Sequence, residues 1–193
     1  DGTTVYLNAE SELRFPKQFR GKNRKVYLTG EGYFDVQRNE KQPFIVEAQQ
    51  VEVRVLGTSF GVRAYTKEEN VLTTLIQGRV NVEADGQQVE LNPGQQADFN
   101  RGNDRLTVAE VDVEQYVGWK DGRLVFDNKP LEFILEELGR WYSFDVFYTN
   151  KELKEIPYSL NIKKHEDIAH VLKFIERTGK VKFEVNKNTI IVK

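Results

Sequence analysis

The 193-residue sequence contains no cysteine and no methionine. The first absence removes disulfides, thiolate nucleophiles and sulfur-ligated metals, and leaves the redox compartment open. The second, in a chain that opens Asp1-Gly2-Thr3-Thr4, sets the expectation of a fragment with a targeting or membrane segment upstream. Long apolar runs are missing too: Ile190-Ile191-Val192 is among the longest, far short of the ~20 residues of a membrane helix, and no signal-peptide pattern begins the chain. Neither charge sign dominates, with 28 basic against 30 acidic residues and no basic stripe, so nucleic acid is not an expected partner. What remains is a 39% hydrophobic share, enough to fill the core of one large domain or two small ones.

To about residue 113 the apolar residues recur with period two. Val51, Val53 and Val55 alternate with Glu52, Arg54 and Leu56, and Phe60, Val62 and Ala64 with Gly61, Arg63 and Tyr65. Further strands are expected at Thr4–Leu7, Val26–Leu28, Tyr33–Val36, Phe44–Ala48, Val71–Ile76, Arg79–Ala84, Val89–Leu91 and Leu106–Val111. Turn signals separate them, as at Asp85-Gly86, Pro93-Gly94 and Gly102-Asn103. This spacing describes a mainly β domain, a twisted, solenoid-like stack of short strands rather than a closed barrel.

The pattern then changes. A strand at Arg123–Phe126 leads to Asp127-Asn128 as a helix cap, Pro130 in the first turn, and Leu131, Ile134, Leu135 and Leu138 on one helical face. Strands follow at Phe144–Tyr148 and Tyr158–Ile162. A second helix spans about Glu166 to Arg177, with Ile168, Val171, Leu172 and Ile175 spaced 0, 3, 4, 7 and Gly179 just beyond its end. A hairpin turning at Asn186–Asn188 closes the chain. Two strand-helix-strand units make a small α+β domain, so the expected division is 1–113 and 114–193.

The chemistry-bearing patterns are few. Gly57-Thr58-Ser59-Phe60-Gly61 spells the G-x-S-x-G of a hydrolase's nucleophile elbow, but an elbow needs a helix after the turn and the alternation that follows predicts a strand. The two histidines, His165 and His170, stand five apart, about 140° around a helix, so they do not converge on a zinc ion. Glu68-Glu69 and Glu136-Glu137 read as solvated charges. Tyr116, Trp119, Trp141, Tyr142 and Tyr148 read mainly as core and junction residues, although an exposed row of aromatics would bind sugar. No active site, metal site or cofactor site is composed from these residues, and a non-enzymatic binding or interaction protein is expected.

The first hundred residues resemble the periplasmic domain of FecR-type anti-sigma factors. The resemblance is carried by 1–11 (DGTTVYLNAES), 30–36 (GEGYFDV), 43–46 (PFIV), 55–62 (VLGTSFGV), 78–80 (GRV) and 91–96 (LNPGQQ). Residues 119–126 (WKDGRLVF), Pro130-Leu131, Leu138, Trp141-Tyr142 and 189–192 (TIIV) are similar to the C-terminal domain usual in FecR proteins of Bacteroidetes type, a small fold like the short N-terminal domain of secretins and TonB-dependent receptors.

The resemblance implies the periplasmic sensing region of a single-pass inner-membrane anti-sigma factor. Such a region receives a signal from the N-terminal domain of a TonB-dependent, SusC-like outer-membrane transporter and controls an extracytoplasmic-function sigma factor. The sigma-binding and membrane helices would precede residue 1. Capture of the transporter's domain by sheet edge is expected at the terminal hairpin, through Phe183, Val185 and Ile190. A periplasmic carbohydrate-binding module that senses glycan directly is the alternative.

Overall fold

The computed structural model describes residues 1–193 and divides into two compact units, Asp1–Lys120 and Asp121–Lys193. The first unit is one large curled β-sheet. Its strands are β1 (Thr4–Leu7), β2 (Glu12–Arg14), β3 (Arg24–Asp35), β4 (Phe44–Ala48), β5 (Val51–Val55), β6 (Ser59–Ala64), β7 (Asn70–Gln77), β8 (Val80–Ala84), β9 (Gln87–Leu91), β10 (Gln95–Asn100) and β11 (Arg105–Glu110). They lie in the order β11-β10-β7-β6-β3-β4-β5-β8-β9, with β1 and β2 also paired to β3.

The organising element is β3, where the sequence pattern suggested two strands. Its first half pairs parallel with β4, from Arg24 opposite Phe44 to Leu28 opposite Ala48. Its second half pairs antiparallel with β6, from Gly30 opposite Ala64 to Asp35 opposite Ser59. The changeover falls at Gly30, whose φ of +90° no other residue adopts cheaply and whose absent Cβ would lie 2.4 Å from Ser11 Oγ. One chain thus bridges two half-sheets, and the alternating residues of both, including Phe34, Phe44, Phe60, Leu75 and Phe99, fill one core. The curl brings β9 towards β11, where Gln87 donates to Asp104 O at 2.6 Å and accepts from Leu106 N at 3.2 Å. A short helix, α1 (Glu114–Val117), follows the last strand, and Val117 Cγ1 lies 3.0 Å from where a Cβ on Gly61 would stand.

The second unit contains β12 (Arg123–Pro130), α2 (Leu131–Tyr142), β13 (Asp145–Tyr148), a 3-10 turn at Lys151–Glu155, β14 (Pro157–Lys163), α3 (Ile168–Glu176), β15 (Phe183–Asn186) and β16 (Thr189–Val192). β12 and β14 form an antiparallel pair, and β13-β16-β15 a three-stranded sheet in which β13 runs parallel to β16. The apolar stripes expected on the helices are the buried ones: Leu131, Ile134, Leu135 and Leu138 on α2, and Val171, Leu172 and Ile175 on α3.

The start of α2 corrects the sequence reading. Asp127 and Asn128 do not cap a helix; they form a bulge in β12, with Asn128 at φ 49°, and the strand continues to Pro130. Ser159 stabilises the bulge, accepting from Asn128 N at 2.9 Å and donating to Asp127 Oδ1 at 3.0 Å. No side chain caps α2, whereas Asp167 caps α3 by accepting from Ala169 N at 2.9 Å.

Candidate functional site

The terminal hairpin places β15 at the edge of its sheet, with only β16 beside it. Lys182 and Lys193 exchange both backbone hydrogen bonds, at 2.8 and 2.9 Å, so the alternation of an antiparallel ladder sets every later position. Glu184 and Asn186 turn their amides towards β16. Phe183 and Val185, opposite Val192 and Ile190, turn theirs outward. Glu176 Oε1 accepts from the Phe183 amide at 2.7 Å, which leaves the Val185 N–H and C=O as the open pair on this edge.

The three residues named from the sequence therefore stand in different situations. The Val185 side chain is 63% exposed. Phe183 is half-buried, and Ile190, at 2% exposed, lies in the core beneath the hairpin rather than at its surface. An approaching strand meets the Val185 backbone and side chain and the rim of Phe183. Ile190 holds the hairpin in place from below.

The same unit has a second open edge that the sequence reading did not single out. β14 pairs only with β12, and Lys164 N donates to Gly122 O at 2.8 Å, which assigns the even-numbered positions of β14 to that ladder. The backbones of Ser159, Asn161 and Lys163 face the other way. Ser159 and Asn161 line a groove of about 480 Å³ whose opposite wall is His170, Lys173 and Phe174 of α3 and Arg177, its C-cap. These four follow the same 0, 3, 4, 7 spacing as the buried stripe and lie beside it, so a search for two stripes on one helix would have found them.

The remaining candidates stand apart from one another. Ser59 opens strand β6, not a helix, and its hydroxyl donates to Asp35 Oδ1 at 2.9 Å. His165 precedes α3 and His170 lies within it, and no group of three or more His, Asp or Glu side chains gathers in metal-binding geometry. Glu68 pairs with Arg63, and Glu137 is a buried residue that accepts from Arg140. Trp119 is buried and donates its indole N–H to Tyr116 O at 3.1 Å, while Lys164 lies over the Trp141 ring. Tyr142 donates to Glu166 O at 2.8 Å, and burial, with the charges of Glu166 and Asp167, raises its pKa. Burial also holds the Tyr148 phenol well above its ordinary range. The well-exposed aromatics Tyr6, Phe15, Tyr27, Phe147 and Phe174 lie on five separate segments of the chain.

One family model matches within each unit. The family model described as FecR protein matches residues 1–81, and that described as FecR, C-terminal, matches residues 123–192. Two crystal structures of a candidate anti-sigma factor from Parabacteroides distasonis ATCC 8503, at 1.65 and 2.50 Å resolution, are similar over the whole chain. The first has 28% identity and a TM-score of 0.91, covering 100% of this chain and 91% of that one. The second has 28% identity and a TM-score of 0.90, covering 100% and 90%. No curated protein matches.

Proposed function

Because the chain belongs to the FecR family, matched in both of its units, we propose that it is the sensing region of a signalling anti-sigma factor. In this reading the protein works in the periplasm as part of a membrane-anchored chain. It receives its signal from the N-terminal domain of a TonB-dependent, SusC-like outer-membrane transporter. It controls an extracytoplasmic-function sigma factor through segments outside these 193 residues. No helix here is long and apolar enough to cross a membrane.

One observation carries the proposal of how the signal is received: the open edge of β15 at Val185. An unpaired N–H and C=O on an edge strand pair readily with a strand of another domain, and the exposed Val185 side chain adds apolar contact. The edge is short, which suits a contact that forms only when the transporter presents its domain. The first unit then serves as the rigid body between the receiving edge and the rest of the protein.

Val185→Pro tests this reading. The Val185 amide faces away from β16, so proline removes an outward donor while the ladder to β16 keeps its own bonds. The variant should keep its circular dichroism and lose capture of the purified transporter domain in a pull-down. Undiminished capture by the folded variant would overturn the β15 reading.

A further inference from the structure

We propose that the groove between β14 and α3 is a second docking site, which takes an extended, acidic segment of a partner protein as a third strand beside β14. The inference rests on the reading of this unit as the partner-binding half, but it names a different surface from β15 and a different chemistry of recognition.

The backbone comes first. Ser159 and Asn161 present their N–H and C=O groups to the groove, whereas the Lys163 amide is already held by Glu166 Oε1 at 3.2 Å. An incoming strand can therefore pair along the middle of β14 and must stop near Lys163. The groove has about 480 Å³, and its floor and near wall are Leu160, Ile162 and Val171, all buried. The upper wall is the outer stripe of α3, where Phe174 is 58% exposed although it sits at the centre of the wall. A large apolar side chain left open beside unpaired strand groups is the pairing that strand addition uses: main-chain bonds for affinity, and a side-chain pocket for alternate residues.

Charge selects the occupant. Lys173 and Arg177 flank Phe174, and neither is ion-paired, unlike Lys25, Arg63 or Arg140, which have carboxylate partners. His170 lines the same wall, and Lys163 lies at the closed end of the strand. Glu166 is the one carboxylate in the lining and accepts from Lys163 N; outside the lining, Asp167 accepts from Ala169 N, Glu176 from Phe183 N and Asp127 from the Ser159 hydroxyl. The groove lining therefore has two cations, Lys173 and Arg177, against one carboxylate, a net positive charge around an apolar centre. A strand with apolar residues on one face and glutamate or aspartate on the other satisfies both, since opposite charges across a rim favour encounter and register.

Fluorescence anisotropy on the 193-residue chain tests the inference with a short labelled peptide of alternating valine and glutamate, its lysine-for-glutamate twin and its N-methylated twin. The expected result is saturable binding of the acidic peptide. Binding should be roughly tenfold weaker for the lysine twin and for Lys173→Glu/Arg177→Glu, and lost on N-methylation. Amide shifts on binding should centre on Ser159–Lys163. Equal affinity for the acidic and basic peptides, indifference to N-methylation, or no saturable binding would overturn the groove proposal. The Val185→Pro variant should bind the peptide like the parent. Loss of transporter-domain capture with peptide binding intact would keep the two surfaces separate, and failure of the peptide alone would leave the β15 reading standing.

Discussion

Asp98 sits on β10 and accepts from Asn70 Nδ2 at both carboxylate oxygens, at 2.8 and 2.9 Å, yet its pKa is raised, because desolvation by burial outweighs that favourable hydrogen bond. A carboxyl with a folded pKa above its unfolded value of about 3.9 binds its proton longer in the folded state. Its contribution to stability is therefore fully present at acid pH and is lost as pH rises through the window between the two values. The expected outcome is a side-chain carbon resonance of Asp98 that titrates above the ordinary aspartate range. A midpoint at or below that range would contradict it. Such a shift is illegible in sequence, because Asp98 reads as one alternating polar residue among many and only the fold supplies its burial. Gly57 and Ser59 show the converse. Their motif was legible and its hydrolase meaning could be set aside from the alternation that follows it. The reason for Gly57 was not legible: a Cβ there would lie 2.5 Å from the Cα of Arg38, a close approach between segments far apart in the chain.

At the scale of elements, whatever depends on local spacing is legible in the sequence. The stripes of α2 and α3 and the alternation of β5 and β6 depend only on neighbouring residues, and they face the core as their spacing requires. The continuous β3 and the bulge at Asp127-Asn128 depend on partners elsewhere. Gly30-Glu31-Gly32 looks like a break until β2, β4, β1 and β6 are placed on either side, and Asp127-Asn128 looks like a helix cap until Ser159 arrives from β14. The edges that matter for binding were half legible: a terminal hairpin announces an outer strand, but an open β14 appears only when its single neighbour is known. The cap that the structure does assign can be tested. Asp167 is the only side chain that satisfies an amide at the start of α3, through Ala169 N. Asp167→Ala should destabilise the second unit by about 1 kcal/mol in urea unfolding followed by helical dichroism. A change near zero would mean that tertiary packing alone holds the helix start. Because α3 forms one wall of the β14 groove, the same variant should also loosen peptide binding there.

For the whole molecule, the two units carry separate cores. The cluster of Val26, Phe34, Phe44, Phe60, Leu75, Phe99 and their neighbours draws on the first unit, while Leu131, Ile134, Leu135 and Leu138 are completely buried within the second. A unit of 73 residues is small for independent folding, since little of its surface can be removed from water. This one nevertheless places apolar stripes from two helices against strands on its own side of the division. We therefore propose that residues 121–193 form a domain that folds alone. Expressed by itself, it should give a single cooperative urea transition with an m-value of about 1 kcal/mol per molar, and a midpoint below that of residues 1–120. Non-cooperative loss of its helical signal would refute independent folding. Both open edges, at Val185 and at Ser159–Asn161, belong to this unit, so the excised domain should also capture the transporter domain and the acidic peptide with the affinities of the full chain. Loss of the peptide alone on excision would show that the β14 groove, though built entirely from the second unit, depends on the first for its alignment.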